Sequence, residues 1–310
     1  MSSPHRFPFL LCCAVIGVLV AFGACGGDTS TVTPKPLATT SASGAVPKDV
    51  DFVIATSEVV TGPNRLLVGM RDGQGRAVAN ARAHLRFYSL DDKGQQQPGP
   101  EADTLFLGDG VPTAQALYSV RATFDKAGRW GVDASISRGA TAPVTASNQF
   151  IVQPVSSAPK IGDPAIPSRN LTLKDAPIEQ LTSQRPPGDP DFYKVTIADA
   201  LKLGRPLMVV FSTPAFCQTQ TCGPQLEAAQ ALKKVYGDRM TFIHIEVYQR
   251  PDLLLENKTK PVLNPPVEEW RLQSEPFVFL VDAQGKVYDR FEGFASKTEV
   301  EQSVKALLVA

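Results

Sequence analysis

The pattern of apolar residues changes near residue 153, and this change constrains the fold more than any other feature of the sequence. Before it, over residues 49–153, seven short runs rich in β-branched and aromatic residues alternate with turn sequences such as "DGQGR" and "KAGR". Regular spacing of short strands and turns predicts an all-β sandwich. After residue 153, apolar runs alternate with helical patterns, which predicts an α/β domain.

The segment "YSVRATFDKAGRWGVDASI" resembles the late strands of small immunoglobulin-like domains found in bacterial extracytoplasmic proteins. The resemblance implies that the sandwich of residues 49–153 is immunoglobulin-like.

The elements of this second half follow in a readable order. "PLMVVF" is a continuous apolar run, typical of a strand that is covered on both faces. "TIADALKLG" before it and "SKTEVEQSVKALL" at the end carry helix-capping patterns, with Ser296 and Glu299 in capping-box register. "MTFIHIEVY" and "PFVFLVDAQGKVYDRFEG" predict further strands. We therefore expect a mixed central sheet flanked by helices over residues 193–310, joined to the sandwich by the proline-rich segment 154–192.

The start of the chain indicates export. A short positive start and an apolar stretch predict a signal peptide over residues 1–24. "FGAC" resembles the bacterial lipobox, which implies cleavage before Cys25 and a lipid on that cysteine. Phe22 stands where the lipobox usually has leucine, so ordinary cleavage with secretion, or an uncleaved anchor, is the alternative. Residues 25–48 are rich in Gly, Ser, Thr and Pro and predict a flexible tether, so we expect an extracytoplasmic lipoprotein of the cell envelope, anchored to the membrane.

Charge excludes one class of partner. Lysine plus arginine and aspartate plus glutamate number 31 each, and no basic run is present, so nucleic acid is not an expected partner. We expect no cofactor, and the residues do not identify a ligand of the sandwich.

Two of the five cysteines remain once the three in the first 25 residues are set aside. An even number of cysteines in an exported protein indicates a disulfide. We therefore expect Cys217 and Cys222 to be oxidised at rest. The residues alone leave three uses open, which are redox catalysis, metal binding and a structural staple.

The second half resembles the thioredoxin superfamily over residues 160–310. "PLMVVF" matches the central strand of that family, "CGPQ" at 222–225 its Cys-Gly-Pro-Cys motif, and "RFEGFASKTEVEQSVKALL" its last strand, glycine and helix. The resemblance implies a cis bond at Pro276, opposite the sulfurs, and places Gly293 near the substrate groove. It also implies exchange with thiols or disulfides of other proteins in the cell envelope.

The resemblance assigns a role to each residue of the candidate site. Cys222 lies at a predicted helix start, where free N–H groups and the helix dipole stabilise a thiolate, so we expect it to be the attacking sulfur and Cys217 the resolving one. Glu275, just before Pro276, would bring negative charge towards the sulfurs and oppose thiolate formation or accept a proton. A solvated surface glutamate is the alternative.

Two departures from the family keep other functions open. Gln225 replaces the second cysteine of the motif, and the central strand lacks the buried carboxylate of the family. These departures favour a non-enzymatic binding lipoprotein with a structural disulfide. The copper chaperones of the Sco family, which place two cysteines and a distant histidine on this fold, give another alternative with His244 as the histidine. Two thiols without a third ligand make a poor zinc site, and we expect no metal.

Overall fold

The computed structural model describes residues 49–108, 110, 116–140 and 142–309. The predicted signal peptide, Cys25 and the predicted tether lie outside these residues. In the described ranges, no helix has both the length and the apolar character that a membrane crossing requires.

The N-terminal part is built from strands in two sheets. Its strands are β1 (Asp51–Ile54), β2 (Val59–Val60), β3 (Gly62–Arg71), β4 (Arg82–Leu90), β5 (Gln96–Asp103), β6 (Leu105–Phe106), β7 (Leu117–Phe124), β8 (Gly128–Ser137) and β9 (Val144–Gln153). One sheet has the order β1-β3-β7-β6 and the other β2-β9-β8-β4-β5. Neighbouring strands are antiparallel, apart from the parallel pair β2 and β9.

One hydrophobic core lies between the two sheets. It combines Leu66 of β3 with Phe87 of β4, Phe124 of β7 and Trp130 of β8. The rings of Phe124 and Trp130 meet edge to face, with centroids 5.0 Å apart. Buried and exposed residues alternate along β4, as expected of a strand with one face on the core. The predicted all-β sandwich is confirmed, while its immunoglobulin-like character stays a prediction.

Strand β5 was not expected from the sequence. Its segment "QQPGPEAD" contains two prolines and a glycine, which are depleted in strands. It occupies the edge of the five-stranded sheet and pairs only with β4. Proline is tolerated on an edge strand because one side of that strand has no ladder to break.

The C-terminal part is an α/β domain. Its elements are α1 (Ile197–Leu201), β10 (Leu207–Ser212), α2 (Cys222–Tyr236), β11 (Thr241–Glu246), α3 (Pro251–Leu255), α4 (Pro265–Glu269), β12 (Phe277–Val281), β13 (Val287–Glu292) and α5 (Lys297–Leu307). The sheet order is β11-β10-β12-β13, with β10 and β11 parallel and the other pairs antiparallel, so the predicted mixed sheet is confirmed. Alternate residues of β10 enter separate apolar clusters on the two faces of the sheet, which is why the whole strand is apolar.

Two helices begin at the expected caps. Thr196 Oγ1 accepts a hydrogen bond of 3.0 Å from the Asp199 N–H at the start of α1. Ser296 Oγ accepts one of 3.2 Å from the Glu299 N–H at the start of α5. In the predicted capping box at α5, the Glu299 carboxylate would accept a hydrogen bond from the Ser296 N–H. It binds Arg65 of the sandwich instead.

Candidate active site

The loop between β10 and α2 carries both cysteines of the described chain. It turns twice, with the Phe216 N–H bonded to the Thr213 carbonyl and the Gln220 N–H to the Cys217 carbonyl. Gln220 has a φ of 58°, in the left-handed region. The chain therefore folds back between the two cysteines, and Cys222 becomes the first residue of α2.

The two thiols have opposite environments. The structure has both as free thiols, with Cys222 fully buried and Cys217 partly exposed, and the oxidised pair expected at rest stays a prediction. A hydrogen bond from the Cys222 thiol, together with the Thr219 side chain and the backbone N–H groups of Cys222 and Thr221, lowers the pKa of Cys217 to about 5. Thr219 Oγ1 lies 3.2 Å from Cys217 Sγ. The same contact with Cys217 and burial raise the pKa of Cys222.

These environments favour the opposite division of roles to the one expected from the sequence, and which sulfur attacks stays a prediction. Cys222 does stand at a helix start, but the free N–H groups there face the sulfur of Cys217. As the first helical residue, Cys222 points into the domain, where its thiol has no solvent access. The accessible sulfur with thiolate character is Cys217, and Cys222 is the buried partner.

Glu275 lies close enough to both cysteines for their charges to interact, and Pro276 follows it in the chain. The Glu275–Pro276 bond is cis, which confirms the expectation for this position. The Gly293 N–H donates to the Pro276 carbonyl at 2.8 Å. Burial and the charge of Cys217 raise the pKa of the half-buried Glu275, and the charge of Glu275 contributes to the raised pKa of Cys222. Glu275 is thus placed to act electrostatically on both sulfurs.

Gln225 has a structural use that the sequence did not reveal. Its side chain is buried in the first turn of α2, and its Oε1 accepts a 2.8 Å hydrogen bond from the Ala295 N–H. The residue that replaces the second motif cysteine therefore ties α2 to the segment after β13.

A buried carboxyl group that sequence reasoning missed lies below the cysteine loop. Glu246 ends β11, next to Ser212 of the central strand, and its Oε2 accepts a 2.7 Å hydrogen bond from the Ser183 N–H. Burial raises its pKa to about 7. The backbone N–H of Thr213, the residue after Ser212, faces the Cys222 sulfur. The central strand has no acid, as the sequence showed, but its neighbour supplies one. A glutamate within the predicted strand "MTFIHIEVY" was the available signal.

His244 is a packed and hydrogen-bonded strand residue. Its Nδ1 lies 2.7 Å from the Tyr193 hydroxyl and its Nε2 lies 2.9 Å from Ser212 Oγ. Burial lowers its pKa to about 4. Both ring nitrogens are thus engaged within the protein, and no group of three or more candidate metal ligands occurs among the described residues.

Comparisons with known proteins address the C-terminal part. Residues 193–308 match the family described as a thioredoxin-like domain. With its mixed sheet, its helix-start cysteine and its cis proline, this part of the chain is a thioredoxin-like domain. No curated protein matches the chain.

Several solved structures are similar to the chain. A thiol:disulfide interchange protein of the thioredoxin family from Chlorobium tepidum is 22% identical, with a TM-score of 0.33 over 49% of this chain and 99% of that one. A thiol-disulfide isomerase from Corynebacterium glutamicum is 14% identical, with a TM-score of 0.30 over 44% and 99%. The exposed lipoprotein thioredoxin of Streptococcus pneumoniae is 21% identical, with a TM-score of 0.27 over 34% and 90%. Similarity at this level transfers no activity or partner to this chain.

Proposed function

We propose that this protein carries out thiol–disulfide exchange through Cys217 and Cys222. The observation that carries the proposal is the asymmetry of the pair, in which a partly exposed thiol with a lowered pKa contacts a fully buried one. A thiolate is the species that attacks a disulfide, and a buried second thiol next to it can resolve the resulting intermediate. Its partners would be thiols or disulfides of proteins in the cell envelope.

The exchange has two balanced steps. The Cys217 thiolate attacks a substrate disulfide, so that an S–S bond forms between Cys217 and the substrate while the substrate S–S bond breaks, and the leaving sulfur takes a proton from water. Cys222 then loses its proton and attacks Cys217 Sγ, which forms the Cys217–Cys222 disulfide and releases the second substrate thiolate. Two electrons pass to the substrate, and a dithiol donor must return them before the next cycle.

The second step needs a proton acceptor because the Cys222 thiol is buried. Glu275 acts on both sulfurs, and its raised pKa brings it closer to neutral pH, where a general base works best. Glu246 has a pKa of about 7 and lies on the other side of Thr213. These two carboxyl groups are the candidates for the role.

The test is turnover of a small disulfide. We expect catalytic amounts of the protein to speed the reduction of dye-labelled glutathione disulfide by dithiothreitol, and the pair to cycle between dithiol and disulfide. If the protein does not turn over the substrate and its Cys217–Cys222 disulfide resists strong dithiols, the exchange function is contradicted. The disulfide would then be structural, as in a non-enzymatic binding protein. Tight copper(I) binding that is lost in His244→Ala would instead indicate metal delivery, which the engaged ring of His244 does not favour.

We also propose that the chain is exported and held in the cell envelope by a lipid on Cys25. The support is the sequence alone, namely the apolar stretch of residues 1–24, the "FGAC" motif and the tether of residues 25–48. Metabolic labelling with a fatty acid should mark the wild type and the matched control Cys217→Ser, and should fail in Cys25→Ser. Label that persists in Cys25→Ser would contradict the anchor.

A further inference from the structure

Arg65 fixes the sandwich next to the candidate active site. Its guanidinium forms two hydrogen bonds of 2.8 Å with the Glu299 carboxylate, and also donates to the backbone carbonyls of Glu292 at 2.8 Å and Phe294 at 2.7 Å. The Arg65 and Glu299 side chains are only 2% and 5% exposed. Because a bidentate pair with further hydrogen bonds allows one geometry, β3 is held in one position against residues 292–294.

Leu67, two residues further along β3, covers Gly293. Leu67 belongs to a small apolar cluster with Leu107 and Phe294. A Cβ atom at Gly293 would lie 2.6 Å from Leu67 Cδ2, and the φ of Gly293 is +66°. The positive φ favours glycine at this position, and the short distance shows that the Leu67 side chain lies directly against the backbone of Gly293.

The covered segment borders the cysteine pair. The Gly293 N–H bonds the carbonyl of Pro276, and the Ala295 N–H bonds Gln225 in the first turn of α2, each at 2.8 Å. Residues 293–295 therefore run from the cis proline to the helix that begins with Cys222. Leu67 thus covers a segment that is hydrogen-bonded both to the cis proline and to the first turn of α2.

Glu292 connects the sandwich to the segment before the cis proline. Its Oε1 accepts hydrogen bonds from the Ser57 N–H of the sandwich at 2.6 Å and from Ser274 Oγ at 2.8 Å. Ser274 immediately precedes Glu275. The sandwich therefore also restrains the chain that leads to Pro276.

The opposite side of Cys217 is open. Phe216 is half-buried and packs edge to face on Tyr248, with ring centroids 6.2 Å apart, while Gln218 and Gln220 are exposed. Burial raises the pKa of Tyr248, and the charges of Glu275, Glu246 and both cysteines add to the rise.

Building on the proposed exchange function, we propose that the sandwich is one wall of the substrate site and that Leu67 determines specificity. Small disulfides, and disulfides on flexible extended segments, fit along the open side defined by Phe216 and Tyr248. A compact protein would have to spread its surface over Gly293, where Leu67 already lies. The sandwich thus selects against compact protein disulfides.

The experiment compares two disulfides in the full chain. Wild type, Leu67→Ala and the milder Leu67→Val are assayed with dye-labelled glutathione disulfide and with insulin, a compact disulfide-bonded protein, under the same dithiothreitol supply. We expect Leu67→Ala to lower the KM for insulin about tenfold, with kcat for insulin and both constants for the glutathione substrate unchanged within about twofold. Leu67→Val should give a smaller change in the same direction. The matched control is Leu107→Ala, which removes the same atoms from the same cluster without exposing Gly293.

Each outcome of this two-substrate assay either supports or overturns the proposal. An insulin KM that is the same in wild type and in a folded Leu67 variant overturns the proposal, as does a change of similar size with both substrates or in Leu107→Ala. Leu67→Val keeps the test usable if Leu67→Ala fails to fold. If the wild type turns over neither disulfide, the exchange function itself is refuted, and this proposal falls with it.

Discussion

Replacing Cys217 by serine should lower the rate of disulfide exchange by at least about a thousandfold, because it removes the attacking group itself. Replacing Cys222 by serine should leave the first step intact and stop the second. Mixed disulfides with envelope proteins should therefore accumulate in Cys222→Ser and be absent from Cys217→Ser. The measurement is non-reducing electrophoresis of affinity-purified variants, with the double variant as the control.

The pH dependence of alkylation gives the physical reason for this division. With a pKa of about 5, Cys217 should be fully reactive towards iodoacetamide above about pH 6 and lose reactivity as the pH falls through 5. The diagnostic quantity is the pH at the midpoint of the alkylation profile and not the absolute rate of alkylation, because lowering the pKa of a thiol also lowers the intrinsic nucleophilicity of its thiolate. Cys222→Ser retains a hydrogen-bond donor to Cys217 and should keep a low midpoint, whereas Cys222→Ala should shift it upwards.

The opposite result would return the roles to those expected from the sequence. If Cys217→Ser trapped mixed disulfides and Cys222 alkylated first near neutral pH, the buried position of Cys222 would not describe the reacting protein. Equal and slow alkylation of both thiols would contradict exchange by this pair altogether.

The sequence predicted the sheet of the C-terminal domain because β10 and β12 are apolar on both faces and because α1 and α5 carry local caps. Thr196 and Ser296 cap α1 and α5 through contacts three residues away, which a sequence displays directly. Strand β5 was missed for the converse reason. Its prolines argue against a strand, and only its place at a sheet edge makes them acceptable.

The sequence indicated which residues lie near the candidate site, whereas the environments of the two sulfurs are visible only in the folded chain. The motif order placed Cys222 at a helix start, which is correct. Which sulfur accepts hydrogen bonds from the free N–H groups depends on how the loop between the cysteines folds back. The turns at Thr213 and Gln220 set this loop conformation, and their sequences carry no distinctive turn pattern. The position of Glu246 was hidden in the same way, since its proximity to the cysteine loop depends on strand pairing.

Contacts between the two parts of the chain were beyond sequence reasoning. Glu299 fits a capping box by its spacing from Ser296, and that local explanation is sufficient by itself. Its partner Arg65 lies 234 positions earlier in the chain. No periodicity connects two such residues, and only the folded chain shows that the carboxylate leaves the cap to form a buried ion pair.

This ion pair leads to the second large expected effect. Arg65→Met should destabilise the protein by about 3–5 kcal/mol, because the Glu299 carboxylate is left buried without its partner. The two carbonyl groups of Glu292 and Phe294 also lose their donor. Arg65→Met combined with Glu299→Leu should recover the part of the loss that comes from the unpaired carboxylate, since an apolar pair often replaces a buried ion pair at little cost.

The two tryptophans of the chain allow this loss to be located. Trp130 is buried in the sandwich core and Trp270 in the α/β domain, so urea unfolding of Trp130→Phe and Trp270→Phe backgrounds reports each part separately. We expect the two transitions to coincide with Arg65 present and to separate in Arg65→Met, because the pair couples the two parts.

Arg121→Met is the matched control. Arg121 pairs with Asp289 at 2.7 Å across the same interface, but its side chain is 49% exposed and the buried Asp289 keeps hydrogen bonds from the Arg290 N–H and Ser303 Oγ, so the loss of Arg121 should cost less than the loss of Arg65. Equal effects of Arg65→Met and Arg121→Met, or transitions that still coincide in Arg65→Met, would show that the buried pair does not hold the sandwich against the active site.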